Sequence, residues 1–183
     1  MPRQSALERQ VYATGALQRG EFTAHNGEQG NLKVVLDELI QNPDNQPLLE
    51  KVIKKMAKEL RPFDPEVILP MPEGANVVGQ RLARELGSRA IMLEWVDKEQ
   101  GRLGYIQQQE RIVVCLANRV ALVDDVFRTG STFMQAVESL GLANKDLRGA
   151  AIFDRSDPDV LYDLPFETKS TVKRHIPMRA DES

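Results

Sequence analysis

Apolar residues along this 183-residue chain follow two patterns that alternate. Apolar positions at helical spacing occur in four segments, residues 5–17, 46–60, 73–87 and 131–141. Short continuous apolar runs, typical of buried strands, occupy residues 66–70, 89–95, 110–116, 119–125 and 147–154. Because strand and helix alternate, the pattern predicts an α/β fold with a mostly parallel sheet covered by helices. Ligands bind such sheets outside the carboxyl ends of the strands.

Composition and charge narrow the class of protein. With 42% hydrophobic and 28% charged residues, no repeat and no linker, the chain fits one globular domain. A net charge of −3 predicts no nucleic-acid partner, and the basic stretch 170–179 is interpreted as a polar C-terminal end. The first ten residues lack the apolar core of a secretory signal, and no run is long enough to span a bilayer, so we expect a cytoplasmic protein without a membrane partner. The single cysteine, Cys115, is expected to be a buried structural thiol on a strand.

The stretch RVALVDDVFRTGSTFMQAVESLG, residues 119–141, contains the most informative polar residues. On this interpretation the strand brings Asp124 and Asp125 to the carboxyl edge of the sheet, with no positive partner in the local sequence. The loop that follows has Gly130, hydroxyl groups and the free amides of a helix start, which together suit a phosphate. Carboxylates repel phosphate, so the combination favours a ligand with hydroxyls between a phosphate and a magnesium-bound polyphosphate. A phosphorylated sugar meets that requirement.

VALVDDVFRTGST resembles the motif with which type I phosphoribosyltransferases bind phosphoribosyl diphosphate (PRPP). An ordinary strand, acidic turn and helix cap is the structural alternative, and it explains only three or four of these residues. Other segments resemble orotate phosphoribosyltransferases in particular: residues 14–27 their amino-terminal segment, 69–87 their diphosphate loop and helix, 97–104 their mobile loop, and 150–158 an Asp-Arg pair after the last core strand. A dinucleotide-binding glycine motif and a P-loop are both absent from the sequence.

The resemblance implies a fold, an activity and a set of site residues. The fold is a parallel sheet flanked by helices, with a small hood at about residues 1–45, a core at about 46–160 and a C-terminal segment at 161–183. The activity is transfer of phosphoribose from PRPP to a nucleobase, orotate by resemblance, in pyrimidine nucleotide biosynthesis. Mg²⁺ is the implied cofactor and a homodimer the implied assembly.

Each implied role falls on a residue that matches the family pattern. Asp124 and Asp125 would hold the ribose hydroxyls and, through water and PRPP, the magnesium. The loop that would cradle the 5-phosphate comprises Val126, Phe127, Arg128, Thr129, Gly130, Ser131 and Thr132. The leaving diphosphate would lie over Glu73, Gly74 and Ala75. Lys98 and Arg102 are the catalytic cations of the mobile loop, and Arg155 would contact the base.

Two segments depart from the orotate family. Glu28 and its neighbours replace basic residues near the base, which predicts weak orotate binding unless Arg155 or His25 compensates, although His25 fits an ordinary surface loop. Residues 97–110 have only two cations, and we expect them to form a mobile lid with few apolar contacts; an exposed β-hairpin arm is the alternative. Because this segment has fewer cations than the family's mobile loop, a second function stays open, that of a non-catalytic or regulatory PRPP-binding protein.

Overall fold

A five-stranded, fully parallel sheet forms the centre of the molecule. The computed structural model describes residues 5–23, 29–155 and 164–173. The strands of the central sheet are β3 Val67–Pro70, β4 Arg89–Ala90, β7 Arg119–Phe127, β8 Asp146–Asp154 and β9 Thr168–Lys173. Their spatial order is β4-β3-β7-β8-β9, so β7 is the middle strand, with β3 and β8 on either side.

Six helices and two small antiparallel hairpins complete the described part of the chain. The helices are α1 Ala6–Ala13, α2 Leu36–Ile40, α3 Gln46–Leu60, α4 Asn76–Leu86, α5 Glu110–Leu116 and α6 Ser131–Leu140. One hairpin joins β1 Leu17–Thr23 to β2 Gln29–Val34, and the other joins β5 Leu93–Asp97 to β6 Arg102–Tyr105. Short 3₁₀ turns precede and follow α3, at Pro43–Asn45 and Arg61–Phe63.

The central strand β7 is apolar on both faces, which explains its continuous hydrophobic run. Ala121 and Val123 contact the core on one side, together with residues of α1 to α4. Val120 and Leu122 contact the core on the other side, with residues of α6, the β5–β6 hairpin and Val114 of α5. Successive strand residues point to opposite faces, so a sheet covered on both faces needs apolar residues at every position. The predicted α/β class is confirmed.

The run at residues 110–116 was predicted to be a strand, and this prediction is wrong. The segment is helix α5, in which Val114 is buried while Ile112 and Leu116 are 63% and 77% exposed. A short apolar run cannot distinguish a strand from a helix that lies at the surface, because its periodicity is too brief to read. Cys115 therefore lies on an exposed helical position, so the expected buried strand thiol is also wrong.

Three other elements differ from the sequence interpretation. The predicted strand 89–95 is divided between β4 of the central sheet and β5 of the hairpin. The predicted first helix ends at Ala13, and Leu17 already belongs to β1. Strand β9 was interpreted as part of a polar C-terminal end, yet it pairs with β8 along the edge of the sheet.

Among the residues that the structure describes, none of the helices has the length and apolar content needed to cross a bilayer.

Candidate functional site

Two acidic residues lie at the carboxyl edge of the central sheet. Strand β3 ends where Pro70 pairs with Val123, whereas β7 continues to Phe127 beside β8. The chain after β3 turns away at Met71, whose amide donates to the Val123 carbonyl at 2.7 Å. Asp124 and Asp125 therefore emerge from β7 just past the end of its neighbour, in the crevice where open α/β sheets bind ligands.

The two carboxylates are adjacent, and no cation partner is found among the described residues. The Asp125 amide donates to Asp124 Oδ1 at 2.8 Å. Burial, followed by the like charge of Asp125, raises the pKa of Asp124 well above its ordinary value of 3.8. Within residues 5–23, 29–155 and 164–173, neither carboxylate forms an ion pair. Two half-buried carboxylates side by side repel each other, so this pair is suited to meet hydroxyls or a cation from outside the chain.

The segment after β7 is built as an anion loop at the start of α6. Gly130 directly precedes the first residue of the helix. Its φ of +87° is a left-handed conformation that residues with side chains rarely adopt. Thr129 Oγ1 lies 3.0 Å from Ser131 Oγ and accepts from the Ser131 amide at 3.2 Å. Gly130 supplies no capping side chain, and the Ser131 amide is occupied by Thr129 Oγ1, so the next amides of the first turn of α6 are the ones suited to a phosphate.

The loop after β3 lies directly against the acidic pair. A Cβ atom placed on Gly74 would lie 2.4 Å from Asp125 Oδ2 and 2.6 Å from its Cγ, so only glycine leaves room for that carboxylate. Glu73, beside it, has φ +72°, an uncommon conformation for a non-glycine residue that is concentrated at functional sites. The amides of Gly74 and Ala75 donate within the loop, to the carbonyls of Pro72 and Met71. These two amides would have to be released before they could bind a diphosphate.

Residues 97–110, expected to form a mobile lid, contain the turn and the second strand of the β5–β6 hairpin. The hairpin of the alternative interpretation is therefore present, and the mobility of this segment stays a prediction. Leu103 and Tyr105 are 5% and 6% exposed and belong to the core under α6, so these two side chains anchor the segment, whereas Ile106 is exposed. A Cβ on Gly101 would overlap the side chain of Gln135 on α6, which places the turn tightly against that helix. A groove of about 440 Å³ separates the exposed part of the hairpin from α6.

The two predicted cations of this hairpin have different surroundings. Lys98 Nζ donates to both carboxylate oxygens of Glu73 at 3.0 Å, which connects the hairpin turn to the loop beside Asp125. Arg102 instead pairs with Asp97 on the same hairpin at 3.3 Å, and this arginine lines the groove against α6. The structure therefore brings Lys98, but not Arg102, into contact with the loop expected to hold diphosphate.

Arg155 lies beside the anion loop. Its amide donates to the Phe127 carbonyl at 2.7 Å, so the residue after β8 is fixed next to the first residues of the loop. Two residues invoked for base recognition, His25 and Glu28, lie outside the described residues.

A residue that sequence reasoning missed is Asn76, the first residue of α4. Its Oδ1 is buried and has no hydrogen-bond partner among the described residues. The only sequence signal is its position directly after the Glu73–Ala75 loop, which is too weak to have identified it.

The donor set suits a magnesium ion that is shared with a ligand. Mg²⁺ prefers carboxylate oxygens and usually keeps water and substrate phosphates in its coordination shell. Asp124 and Asp125 provide such oxygens, and the described residues contain no cluster of three or more acidic, histidine or cysteine side chains that could hold a metal by themselves. The residues present therefore fit Mg²⁺ only together with a phosphate-bearing ligand and water.

Comparison with known proteins agrees with this geometry. No protein-family model matches the chain. Over 167 residues the chain is 29% identical to an orotate phosphoribosyltransferase of Thermotoga petrophila, covering 90% of this chain and 83% of the relative. The crystal structure of orotate phosphoribosyltransferase from Aeropyrum pernix superimposes with a TM-score of 0.66 at 16% identity, covering 91% and 93% of the two chains. An adenine phosphoribosyltransferase from Leishmania donovani superimposes with a TM-score of 0.59 at 17% identity, covering 91% and 80%.

These relatives establish two points. The chain has the fold of type I phosphoribosyltransferases, as its motifs predict, and its sequence resembles orotate phosphoribosyltransferases along nine-tenths of its length. Structures whose names refer to two different bases share that fold, so the fold does not select the base.

Proposed function

We propose that this chain, which is similar to orotate phosphoribosyltransferases, is a PRPP-dependent phosphoribosyltransferase that joins phosphoribose to a nucleobase and releases diphosphate. The observation that carries the proposal is the contact between Gly74 and the Asp125 carboxylate. It joins the loop after β3 to an acidic pair that is itself followed by an anion loop. A diphosphate site, a ribose site and a phosphate site then lie in one crevice, in the order in which these groups occur in PRPP.

Each part of the site has a distinct role in this proposal. Asp124 and Asp125 accept hydrogen bonds from the ribose hydroxyls and face the magnesium that PRPP brings. The loop of residues 126–132 holds the 5-phosphate with amides and hydroxyls. Glu73 to Ala75 border the leaving diphosphate, and Lys98 contacts that border through the Glu73 carboxylate.

The reaction needs positioning and charge stabilisation more than a protein nucleophile. A base nitrogen forms a bond to the anomeric carbon while the bond from that carbon to the diphosphate oxygen breaks, through an oxocarbenium-like state. Mg²⁺ supplies charge neutralisation on the diphosphate when it is bound. The residues of this chain align the ribose between two fixed loops, and the negative charge of the acidic pair lies close to the positive charge that develops on the sugar.

Orotate is the base that we propose first. The sequence resemblance supports it, and Arg155 is fixed beside the anion loop where it could contact an anionic base. A homodimer, suggested by the same resemblance, and a cytoplasmic location belong to this proposal.

The proposal is tested by measuring diphosphate release from PRPP and Mg²⁺ with orotate, uracil, adenine and guanine in turn. We expect release that depends on one of these bases and that is lost when Asp124→Asn and Asp125→Asn are combined. Asp146→Asn is the matched control, because it removes an exposed carboxylate at the opposite end of the sheet, where β8 begins. Equal release by the double variant and the wild-type protein would show that the acidic pair is not part of the site.

PRPP binding without release in the presence of any base would favour the non-catalytic alternative. Absence of PRPP binding would reject both functions.

A further inference from the structure

The hairpin and the loop after β3 are joined by an ion pair at the border of the proposed diphosphate site. Lys98 Nζ lies 3.0 Å from both carboxylate oxygens of Glu73. The two residues are 25 positions apart in the chain and belong to different structural units, the turn of the β5–β6 hairpin and the loop before α4. Their side chains are 65% and 67% exposed, so a ligand can reach both of them.

Glu73 lies at the border of the proposed diphosphate site, so its ion pair with Lys98 can affect ligand binding. Glu73 has φ +72° and is followed by Gly74, whose Cα faces the Asp125 carboxylate. A carboxylate with two acceptor oxygens thus holds a lysine at the place where the proposed function requires a diphosphate, which would present the same kind of acceptor to the same ammonium group.

We infer that Glu73 is an internal competitor for the diphosphate group: its carboxylate occupies Lys98 in the ligand-free protein and yields Lys98 to the diphosphate of PRPP on binding. This inference rests on the proposed function and adds to it a residue that sets affinity. When diphosphate leaves after the reaction, Glu73 takes Lys98 back, so the same exchange promotes product release.

The size of the effect follows from the exposure of the pair. Exposed ion pairs of this kind contribute about 0.2–1 kcal/mol, which corresponds to roughly a 1.4-fold to fivefold change in an equilibrium constant. The Glu73 carboxylate and a diphosphate both accept charge-assisted bonds from the ammonium, but diphosphate carries more negative charge and more acceptor oxygens, so the exchange favours the ligand. Glu73→Gln should therefore bind diphosphate about 1.4 to 5 times more tightly than the wild-type protein.

A simpler explanation for such a gain is general repulsion between Glu73 and any anion. The two explanations differ in the Lys98→Ala background. If Glu73 acts by occupying Lys98, the gain from Glu73→Gln disappears when Lys98 is absent; if it acts by repulsion, the gain persists.

The experiment is calorimetric titration of inorganic diphosphate with Mg²⁺ into the wild-type protein, Glu73→Gln, Lys98→Ala and the double variant. Glu99→Gln is the matched control, because it removes the same charge from the neighbouring residue of the exposed turn. We expect tighter binding only in Glu73→Gln, together with slower release of diphosphate. Unchanged affinity in Glu73→Gln, a gain that persists without Lys98, or an equal gain in Glu99→Gln would overturn the inference while leaving the proposed function intact.

A second measurement, without ligand, tests the contact itself. Amide hydrogen exchange of residues 97–101 should be faster in Glu73→Gln than in Glu99→Gln, because only the first variant frees the turn from the loop. Equal exchange rates would also overturn the inference. Failure of the wild-type protein and of Glu73→Gln to bind either diphosphate or PRPP would reject the proposed function, and the inference with it.

Discussion

Replacing Gly74 by alanine should disable PRPP binding at a small cost in stability. The added Cβ would lie 2.4 Å from Asp125 Oδ2, 2.6 Å from Cγ and 3.0 Å from Oδ1, whereas ordinary contacts begin at 3.4 Å. The carboxyl group or the loop must therefore move by roughly 1 Å. Since the atoms in the way are the end of a side chain, rotation of Asp125 can relieve most of the overlap.

The loss of stability and the loss of PRPP affinity should differ in size. Overfilling a well-packed site costs about 1–3 kcal/mol, and relief by side-chain rotation places Gly74→Ala at the lower end of that range. Moving a binding group by about 1 Å can reduce activity roughly 100-fold. We therefore expect a free energy of unfolding lower by about 1 kcal/mol and PRPP affinity weaker by about two orders of magnitude.

The assays are urea denaturation for stability and calorimetry with PRPP and Mg²⁺ for affinity. Gly87→Ala is the control, because Gly87 has φ +73° at the end of α4 and an added Cβ would meet no atom within 4 Å. This control should lose about 1 kcal/mol through backbone strain and keep its PRPP affinity. Wild-type affinity in Gly74→Ala would refute the assignment of the loop and Asp125 to one site.

Three further predictions address individual residues. The raised pKa of Asp124 keeps its proton to higher pH in the folded than in the unfolded state, so its favourable contribution is complete below 3.8 and is lost as pH rises through the folded pKa. Asp124→Asn should thus gain stability relative to the wild-type protein as the pH rises above 3.8 in urea denaturation, and a constant difference would contradict the shift. Cys115 should react with a thiol reagent in the native protein as fast as in a peptide, since it is exposed; protection until unfolding would contradict helix α5 as described. Arg155→Ala should weaken orotate binding and spare PRPP binding, and tight orotate binding in this variant would remove Arg155 from the base site.

The central sheet and its larger helices could be predicted because their environment imposes a pattern. Strands β3, β7 and β8 are buried on both faces, and α3, α4 and α6 each bury one side, which produces continuous runs and helical spacing respectively. The acidic pair followed that pattern, since carboxylates directly after the buried run of β7 must lie near the carboxyl edge of the sheet.

The errors fall where burial is partial. Helix α5 buries little more than Val114, so its short apolar run looks like that of a buried strand. Strand β9 has the polar sequence TKSTVK because it lies at an edge of the sheet. Nothing in a local pattern distinguishes either case, because edge strands and surface helices are fixed by their tertiary neighbours.

The contacts within the site could not be predicted at all. Gly74 meets Asp125, and Glu73 meets Lys98, across large separations in the chain. A motif assigns each residue to a site, but only the folded arrangement of β3, β7 and the hairpin determines which of them touch.

Phosphorus NMR of the protein with PRPP, Mg²⁺ and orotate tests the proposed function most directly, because it observes substrate and both products together. The account predicts that the PRPP signals are replaced by those of free diphosphate and a nucleoside monophosphate, and that both remain absent with Asp124→Asn and Asp125→Asn combined. PRPP signals that persist unchanged with orotate and with every other base would contradict it.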